Sequence, residues 1–184
     1  MTREQAWQLV QEKVKGAFLK NHLLASEAIM RALARHFGED EELWGLAGLV
    51  HDIDWETTET EPKQHGLIAA NWLSSAGFPA EVVEAVKVHN HMTGLVPRTL
   101  LEKTLWCAEE LTGLIAASAL VQPDKKLASV KPSSVKKKFK DKAFAAGVNR
   151  EIILKCQEMI GLSLDELIDI ELKAMQEIAS NLGL

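Results

Sequence analysis

Residues 43–55 read LWGLAGLVHDIDW, an apolar run that ends on the adjacent polar pair His51-Asp52. The apolar positions follow a helical pattern, so the run predicts a buried helix that leads directly into this pair. A buried carboxylate is costly unless it is paired or bound to a metal ion, so Asp52 needs a cationic partner. The segment therefore predicts a metal site at a helix end. The alternative is that Asp52 caps a neighbouring helix while His51 bonds a backbone carbonyl group.

Further ligand-type side chains lie on both sides of this segment, whereas the last third of the chain contains no histidine. Imidazole nitrogens and carboxylate oxygens form the mixed ligand set that binds Zn, Fe, Mn, Co or Ni. We expect one or two divalent transition-metal ions among helices. His89 and His91 diverge on a helix, so both can bind one ion only if the helix has ended by His89. The predicted metal ligands are His22, His51, Asp52, His65, His89, His91 and Glu109.

Length and composition are those of an ordinary globular protein. A chain of 184 residues fits one domain, and its 47% hydrophobic and 26% charged residues are unexceptional. The net charge of -5 argues against a nucleic-acid or membrane-surface binder. Two cysteines without a C-x-x-C motif favour free thiols in the cytoplasm, and no apolar run is long enough to span a membrane. We therefore predict a single cytoplasmic domain over residues 1–184, with no membrane partner.

Helical periodicity dominates the chain and strand signals are nearly absent, which predicts an all-α helical bundle. Residues 54–61 (DWETTETE) are predicted to form a polar loop. The predicted helices extend from Thr2 to about Lys15, from before His22 to Gly38, from Asp40 to His51, from Pro62 to Gly77, from Pro79 to about His89, from Arg98 to Val121, and then over about 136–146, 149–159 and 163–181.

The order of the ligand-type residues (H, HD, H, H-x-H and then an acid on a later helix) resembles that of the HD-domain superfamily of metal-dependent phosphohydrolases. HDID is similar to the motif of the HDIG subgroup. The resemblance covers about residues 18–115 and implies an HD-type bundle, with a catalytic core at about 18–121 and C-terminal helices at about 134–182. It implies that His22, His51, Asp52 and Glu109 hold one ion, and that His65, His89 and His91 match the second-ion ligands of the two-metal branch.

Two departures from the family pattern concern the ligands themselves. The family has Ala-Asp-x-Leu at its distal acid, whereas this chain has Ala108-Glu109-Glu110-Leu111, whose glutamate is one methylene longer. The two-metal branch has adjacent histidines, whereas Asn90 separates the two here. The GYP signature is absent, which argues against cyclic dinucleotide hydrolysis in particular.

The resemblance implies a metal-dependent phosphohydrolase that acts on a nucleotide or another small phosphate ester through a metal-activated water, with His51 and Asp52 as the catalytic pair. Two alternatives remain: an HD-type di-iron oxygenase, and a non-catalytic regulator that binds metal or nucleotide. The lysines at 136–142 could bind phosphate or form a solvated helix face. Asp54 could bond a ligand histidine or be an exposed loop acid, and Trp55 could line the mouth of the pocket.

Overall fold

The computed structural model describes residues 1–184 and contains helices but no strand, which confirms the all-α prediction. Short 3-10 turns occupy Pro62–Gln64, His91–Thr93 and Leu127–Ser129. The α-helices are α1 (Arg3–Lys13), α2 (Ala17–Phe37), α3 (Glu41–Val50), α4 (Trp55–Thr58), α5 (Leu67–Ser75), α6 (Ala80–Val88), α7 (Leu100–Ala108), α8 (Leu111–Leu120), α9 (Pro132–Lys140), α10 (Arg150–Leu154), α11 (Cys156–Met159), α12 (Leu164–Glu177) and α13 (Ala179–Leu182).

The start of α3 is fixed by the predicted cap. Asp40 Oδ1 accepts hydrogen bonds from the backbone N–H groups of Glu42 and Leu43, which have no partner inside the helix. The preceding helix, α2, ends at Gly38 in the left-handed conformation, also as predicted. The end of α2 and the start of α3 are thus fixed by residues next to them in the sequence. His51 directly follows α3, so its position depends on how these two helices pack.

Helices α2 and α3 pack unusually closely at Gly48. A Cβ atom at this position would lie 2.4 Å from the carbonyl oxygen of Ser26, so only glycine allows the approach. This contact brings the ring of His22 on α2 to that of His51 after α3, with the ring centres 5.1 Å apart. One cluster of 44 buried residues extends from Ala6 to Leu182, so the C-terminal helices share the core with the helices that carry the histidines.

The predicted helix from Pro62 to Gly77 is wrong at its start, because the chain forms a 3-10 turn there and α5 begins only at Leu67. Gly66 has φ +83°, a left-handed conformation that interrupts a helix. His65 therefore lies in the connection before α5. The predicted loop 54–61 is also wrong in part, since it contains the short helix α4.

The predicted helix from Arg98 to Val121 is divided in two at Glu109 and Glu110. The Thr112 N–H bonds the carbonyl oxygen of Glu109, three residues back, and the Thr112 hydroxyl donates to the same oxygen. This tight turn ends α7 and starts α8. Glu109 therefore follows a helix end, where the sequence pattern had placed it in a helix interior.

The predicted helix at about 136–146 is displaced, because α9 begins at Pro132 and ends at Lys140. Proline suits the first turn of a helix, which explains the earlier start. Arg150 explains the earlier end, since its guanidinium donates to five carbonyl groups and winds the following connection around itself. These acceptors are the carbonyl oxygens of Phe139, Asp141, Phe144, Ala145 and Val148.

None of the helices has the length and apolar character needed to cross a membrane. Cys107 and Cys156 are both free and buried, as the sequence predicts.

Glu171 of α12 is a buried carboxyl group without a partner. It is 0% exposed, and neither of its carboxyl oxygens has a hydrogen-bond partner in the protein. Burial, and then the neighbouring Cys107, raise the pKa of Glu171 well above its usual value. The stability that this group contributes is therefore fully present below its unfolded pKa and is lost as the pH rises toward its folded pKa.

We predict that Glu171→Gln raises the Tm more at about pH 8 than at about pH 5, because the amide removes the free energy that ionisation gives the unfolded state. Thermal unfolding of both proteins at the two pH values measures this difference. Glu177→Gln makes the same change at an exposed position of α12 and should leave the Tm unchanged. Equal shifts at the two pH values would contradict the prediction.

Candidate metal centre

The candidate site lies where three helices end. His51, His89 and Glu109 each occupy the residue directly after a helix, following α3, α6 and α7 respectively. The C-terminal end of a helix carries a partial negative charge, because its last carbonyl groups lack partners within the helix. Three such ends beside the Asp52 carboxylate make this region favourable for a cation.

The first cluster of donor atoms consists of His22, His51 and Asp52, whose ligand atoms lie within 4.8 Å of one another. His22 Nε2 is 3.2 Å from His51 Nε2 and 3.5 Å from Asp52 Oδ2. Glu109 Oε2 is 3.5 Å from His22 Nε2 and 3.8 Å from His51 Nε2. Ligand atoms bound at about 2.1 Å to one ion lie roughly 3.0–3.4 Å apart at octahedral or tetrahedral angles. The His22–His51 distance lies in this range and the other three exceed it by up to about 0.4 Å, so these residues could hold one ion if Glu109 moved slightly closer.

The second cluster consists of Asp52, His65 and His89. His65 Nε2 is 3.0 Å from His89 Nε2, and these atoms lie 3.1 and 3.2 Å from Asp52 Oδ1. Asp52 thus belongs to both clusters: Oδ2 faces His22, whereas Oδ1 faces His65 and His89 and also lies 3.2 Å from His51 Nε2. A carboxylate in this position could serve as a ligand in both clusters.

The tautomers of three histidines follow from their other ring nitrogen. His51 Nδ1 is 2.9 Å from the Gly48 carbonyl oxygen, and His89 Nδ1 contacts the Val86 carbonyl oxygen in the same way. A carbonyl oxygen only accepts, so in both rings Nδ1 carries the proton and Nε2 presents a lone pair. In His22, Nδ1 contacts the Thr112 hydroxyl at 3.2 Å. That hydroxyl gives its proton to a carbonyl group, so it accepts from His22.

The sequence of this region matches the model of a known protein family. The sequence model of the HD domain matches residues 19–113, just over half of the chain, and this range contains every predicted ligand. The chain belongs to the HD-domain family. HD domains bind divalent metals and are generally metal-dependent hydrolases. Searches of curated proteins and of solved structures find no match.

Asp54 forms hydrogen bonds that connect His65 to the start of α5. It is fully buried, so it is not an exposed loop acid. Its Oδ1 lies 2.7 Å from His65 Nδ1, and its Oδ2 accepts from the N–H groups of Gly66 and Ala69. Asp54 thereby orients the His65 ring and caps the start of α5. Of the two interpretations that the sequence left open, the hydrogen bond to a candidate ligand histidine is the one found.

Asn90 is a site residue that the sequence pattern did not indicate. Its side-chain amide donates to the carbonyl groups of Pro62 and His65, and its oxygen accepts from the Met92 N–H. These bonds join the 3-10 turn before His65 to the turn after His89. A signal was present in the sequence, because a polar residue between two ligand-type histidines needs partners once it is buried.

Burial and the neighbouring histidines and carboxylates together determine the charge state of the HD-domain site. Burial lowers the pKa of His51 to about 3, which keeps the ring neutral as a metal ligand must be. Burial alone would raise the pKa of Asp52, but the surrounding histidines hold it well below its usual range. Burial and the neighbouring carboxylates raise the pKa of Glu109 well above its usual value. A cation between Asp52 and Glu109 would allow both carboxylates to be ionised together.

His65 has the opposite shift. Burial lowers its pKa, but hydrogen bonds with Asp52 and Asp54 outweigh burial and raise the pKa to about 9. A cation at His65 Nε2 would take the place of the proton there, and His65 Nδ1 would keep its own proton, which it donates to Asp54.

His91 and the lysines of residues 136–142 lie outside both clusters. His91 is exposed and lines the cavity above them, because α6 ends at Val88 and the chain then turns away. None of the lysines lines this cavity. Lys136 pairs with Asp165 at 2.5 Å, and Lys138 lies over the ring of Phe144.

The site cavity opens above the two clusters and has a volume of about 550 Å³. This size is typical of pockets for small metabolites. Trp55 lines it, as the sequence suggested, and is 46% exposed. No lysine or arginine is among the lining residues.

Proposed function

We propose that the chain is a metal-dependent phosphohydrolase of the HDIG type, which hydrolyses a small phosphate ester with a metal-activated water. A nucleotide is one such ester. The two free, buried thiols suit a reducing compartment, and we place the activity in the cytoplasm. The observation that carries this proposal is the set of four imidazole Nε2 atoms that converge on the Asp52 carboxylate.

The lone pairs of these nitrogen atoms would repel one another and the carboxylate, so the arrangement needs a proton or a metal ion between them. The outer nitrogens of His22, His51 and His89 are protonated and held, which fixes each ring with its lone pair inward. In this proposal His22, His51 and Glu109 hold one ion, His65 and His89 hold a second, and Asp52 serves both. His91 is too exposed to be included. Iron, manganese, zinc, cobalt and nickel all suit this ligand set.

When bound, such ions polarise a phosphoryl oxygen and lower the pKa of a water molecule. In this proposal Asp52 and His51 act as ligands: Asp52 stays ionised, and the His51 Nδ1–H donates to the Gly48 carbonyl oxygen, which leaves Nε2 to face the first cluster. Hydrolysis forms a bond from the water oxygen to phosphorus and breaks the bond from phosphorus to the ester oxygen. The proton that the water loses balances the proton that the leaving alcohol takes up.

The test is phosphate release from a panel of phosphate monoesters by protein loaded with each metal in turn. We expect release that depends on metal and is abolished by a chelator. Oxygen consumption by an iron-loaded protein without phosphate release would favour the oxygenase. Stoichiometric metal without any turnover would favour the regulator.

Glu109 and Glu110 supply a matched pair for this assay. Glu109→Gln should reduce metal affinity and activity by about tenfold or more, because it removes a charge that faces His22 and His51. Glu110→Gln should have a smaller effect: Glu110 also lines the site cavity but belongs to neither cluster, and an amide oxygen can accept the Asn149 N–H equally well. The reverse result would contradict the assignment of Glu109 as the ligand.

A further inference from the structure

A second cavity adjoins the site cavity on the far side of His22. This adjoining cavity has a volume of about 260 Å³ and lies between α2, α8, α12 and residues 182–184. Phe18, His22 and Gly113 line both cavities. A molecule bound at the metal clusters therefore has the adjoining cavity within reach of one of its ends.

The lining of the adjoining cavity is mainly apolar. The polar side chains of Asn21 and Thr112, which also line it, already form hydrogen bonds within the protein. Asn21 donates to the Leu182 carbonyl group, and the Thr112 hydroxyl bonds Glu109 and His22. The rest of the lining is apolar or glycine apart from His22, whose Nδ1 already contacts Thr112. An apolar group gains most from this environment, because it leaves no polar atom unpaired.

Phe18 extends the apolar surface to the junction of the two cavities. Its side chain is 81% exposed, the highest exposure among the large hydrophobic residues of the chain. An apolar ligand that covers this ring would remove its surface from water as well as its own. The exposed ring is therefore favourable for the passage of an apolar group from one cavity to the other.

Size and charge limit the ligand further. An apolar cavity of about 150 Å³ is large enough to hold benzene, so the adjoining cavity has room for one ring or a short alkyl chain. Neither cavity is lined by lysine or arginine, so positive charge near the phosphate would come from the ions alone. This favours a single phosphoryl group over a polyphosphate.

We infer that the substrate is a phosphate monoester of an apolar alcohol, whose ring or alkyl chain fills the adjoining cavity while its phosphate lies at the metal clusters. This inference rests on the proposed phosphohydrolase function and specifies its substrate class.

The test compares benzyl phosphate with glycerol 2-phosphate as substrates of the metal-loaded protein. We expect a kcat/KM for benzyl phosphate about ten- to a hundredfold higher, the range that an apolar pocket confers. Ala116→Leu places a larger side chain in the adjoining cavity and should lower the kcat/KM for benzyl phosphate toward that for glycerol 2-phosphate. Ala117→Leu is the matched control, since this half-buried neighbour on α8 lines neither cavity.

Binding gives a second measurement that does not depend on turnover. Calorimetry should show that benzylphosphonate binds the metal-loaded protein more tightly than methylphosphonate, and that Phe18→Ala reduces the difference. Equal affinities, or equal kcat/KM values for the two esters, would overturn the inference and leave the phosphohydrolase proposal standing. Failure to hydrolyse any ester, with benzylphosphonate still bound preferentially, would overturn the proposed function and leave the apolar site standing.

Discussion

The Asp52→Ala protein should purify without metal and without activity. Asp52 is the only side chain that belongs to both clusters, so its loss removes a ligand from two ions at once. The four histidine rings would then lack the carboxylate that both clusters share. We expect elemental analysis to find almost no bound metal, and phosphate release to fall by more than about a hundredfold, beyond the cost of losing an outer hydrogen-bond partner.

Asp169→Ala is the control for this variant, because it makes the same change at an exposed position of α12 outside the site cavity. It should retain wild-type metal content and activity. Circular dichroism should show that both variants keep their helical content, since the contacts of the Asp52 carboxylate are with histidine side chains and not with the backbone. Full metal occupancy in the Asp52→Ala protein would contradict the two-cluster arrangement.

The helix pattern and the ligand set could be predicted because their signals are local. Asp40, Gly38 and the capping box at Ser163 each act within a few residues of the helix end that they define. The histidines were recognisable because imidazole beside a carboxylate after an apolar run has few uses other than metal binding or a backbone hydrogen bond. His51 makes both geometries available, since Nδ1 bonds the Gly48 carbonyl group while Nε2 faces the first cluster.

The errors occurred where contacts distant in sequence determine the local structure. The start of α5 depends on the buried carboxylate of Asp54, which is 12 residues before Gly66. The end of α9 depends on Arg150, which is 11 residues after Phe139. In both cases one side chain satisfies several backbone groups, and periodicity alone contains no information about that pairing.

The direction in which each ligand side chain points could not be predicted from the sequence, for the same reason. His89 and His91 look equivalent in the sequence, but α6 ends at Val88, so the chain turns between them. Asn90 fixes this turn through bonds to the distant Pro62 and His65 carbonyl groups. The result is one histidine buried at the second cluster and one exposed on the cavity wall.

Asp54→Asn tests whether the hydrogen-bond partner of a candidate ligand is as important for metal binding as the ligand itself. Both oxygens of the Asp54 carboxylate accept hydrogen bonds: Oδ1 accepts from His65 Nδ1, and Oδ2 accepts from the N–H groups of Gly66 and Ala69. An asparagine must place its NH₂ group against one of these donors, whichever way it is turned. We expect a loss of about 1–3 kcal/mol in the free energy of unfolding, the cost of an unsatisfied buried group.

The same substitution should weaken metal binding at the second cluster by about ten- to a hundredfold, because His65 loses the partner that fixes its tautomer and orientation. The first cluster should be unaffected, since Asp54 does not contact it. Asp40→Asn is the matched control: only Oδ1 of Asp40 accepts hydrogen bonds, so an asparagine keeps its oxygen there and caps α3 equally well. Chemical unfolding and metal titration of both variants measure the two effects. If Asp54→Asn behaves like Asp40→Asn in both measurements, then His65 is held by the packing around it, and the Asp54 carboxylate has no role in metal binding.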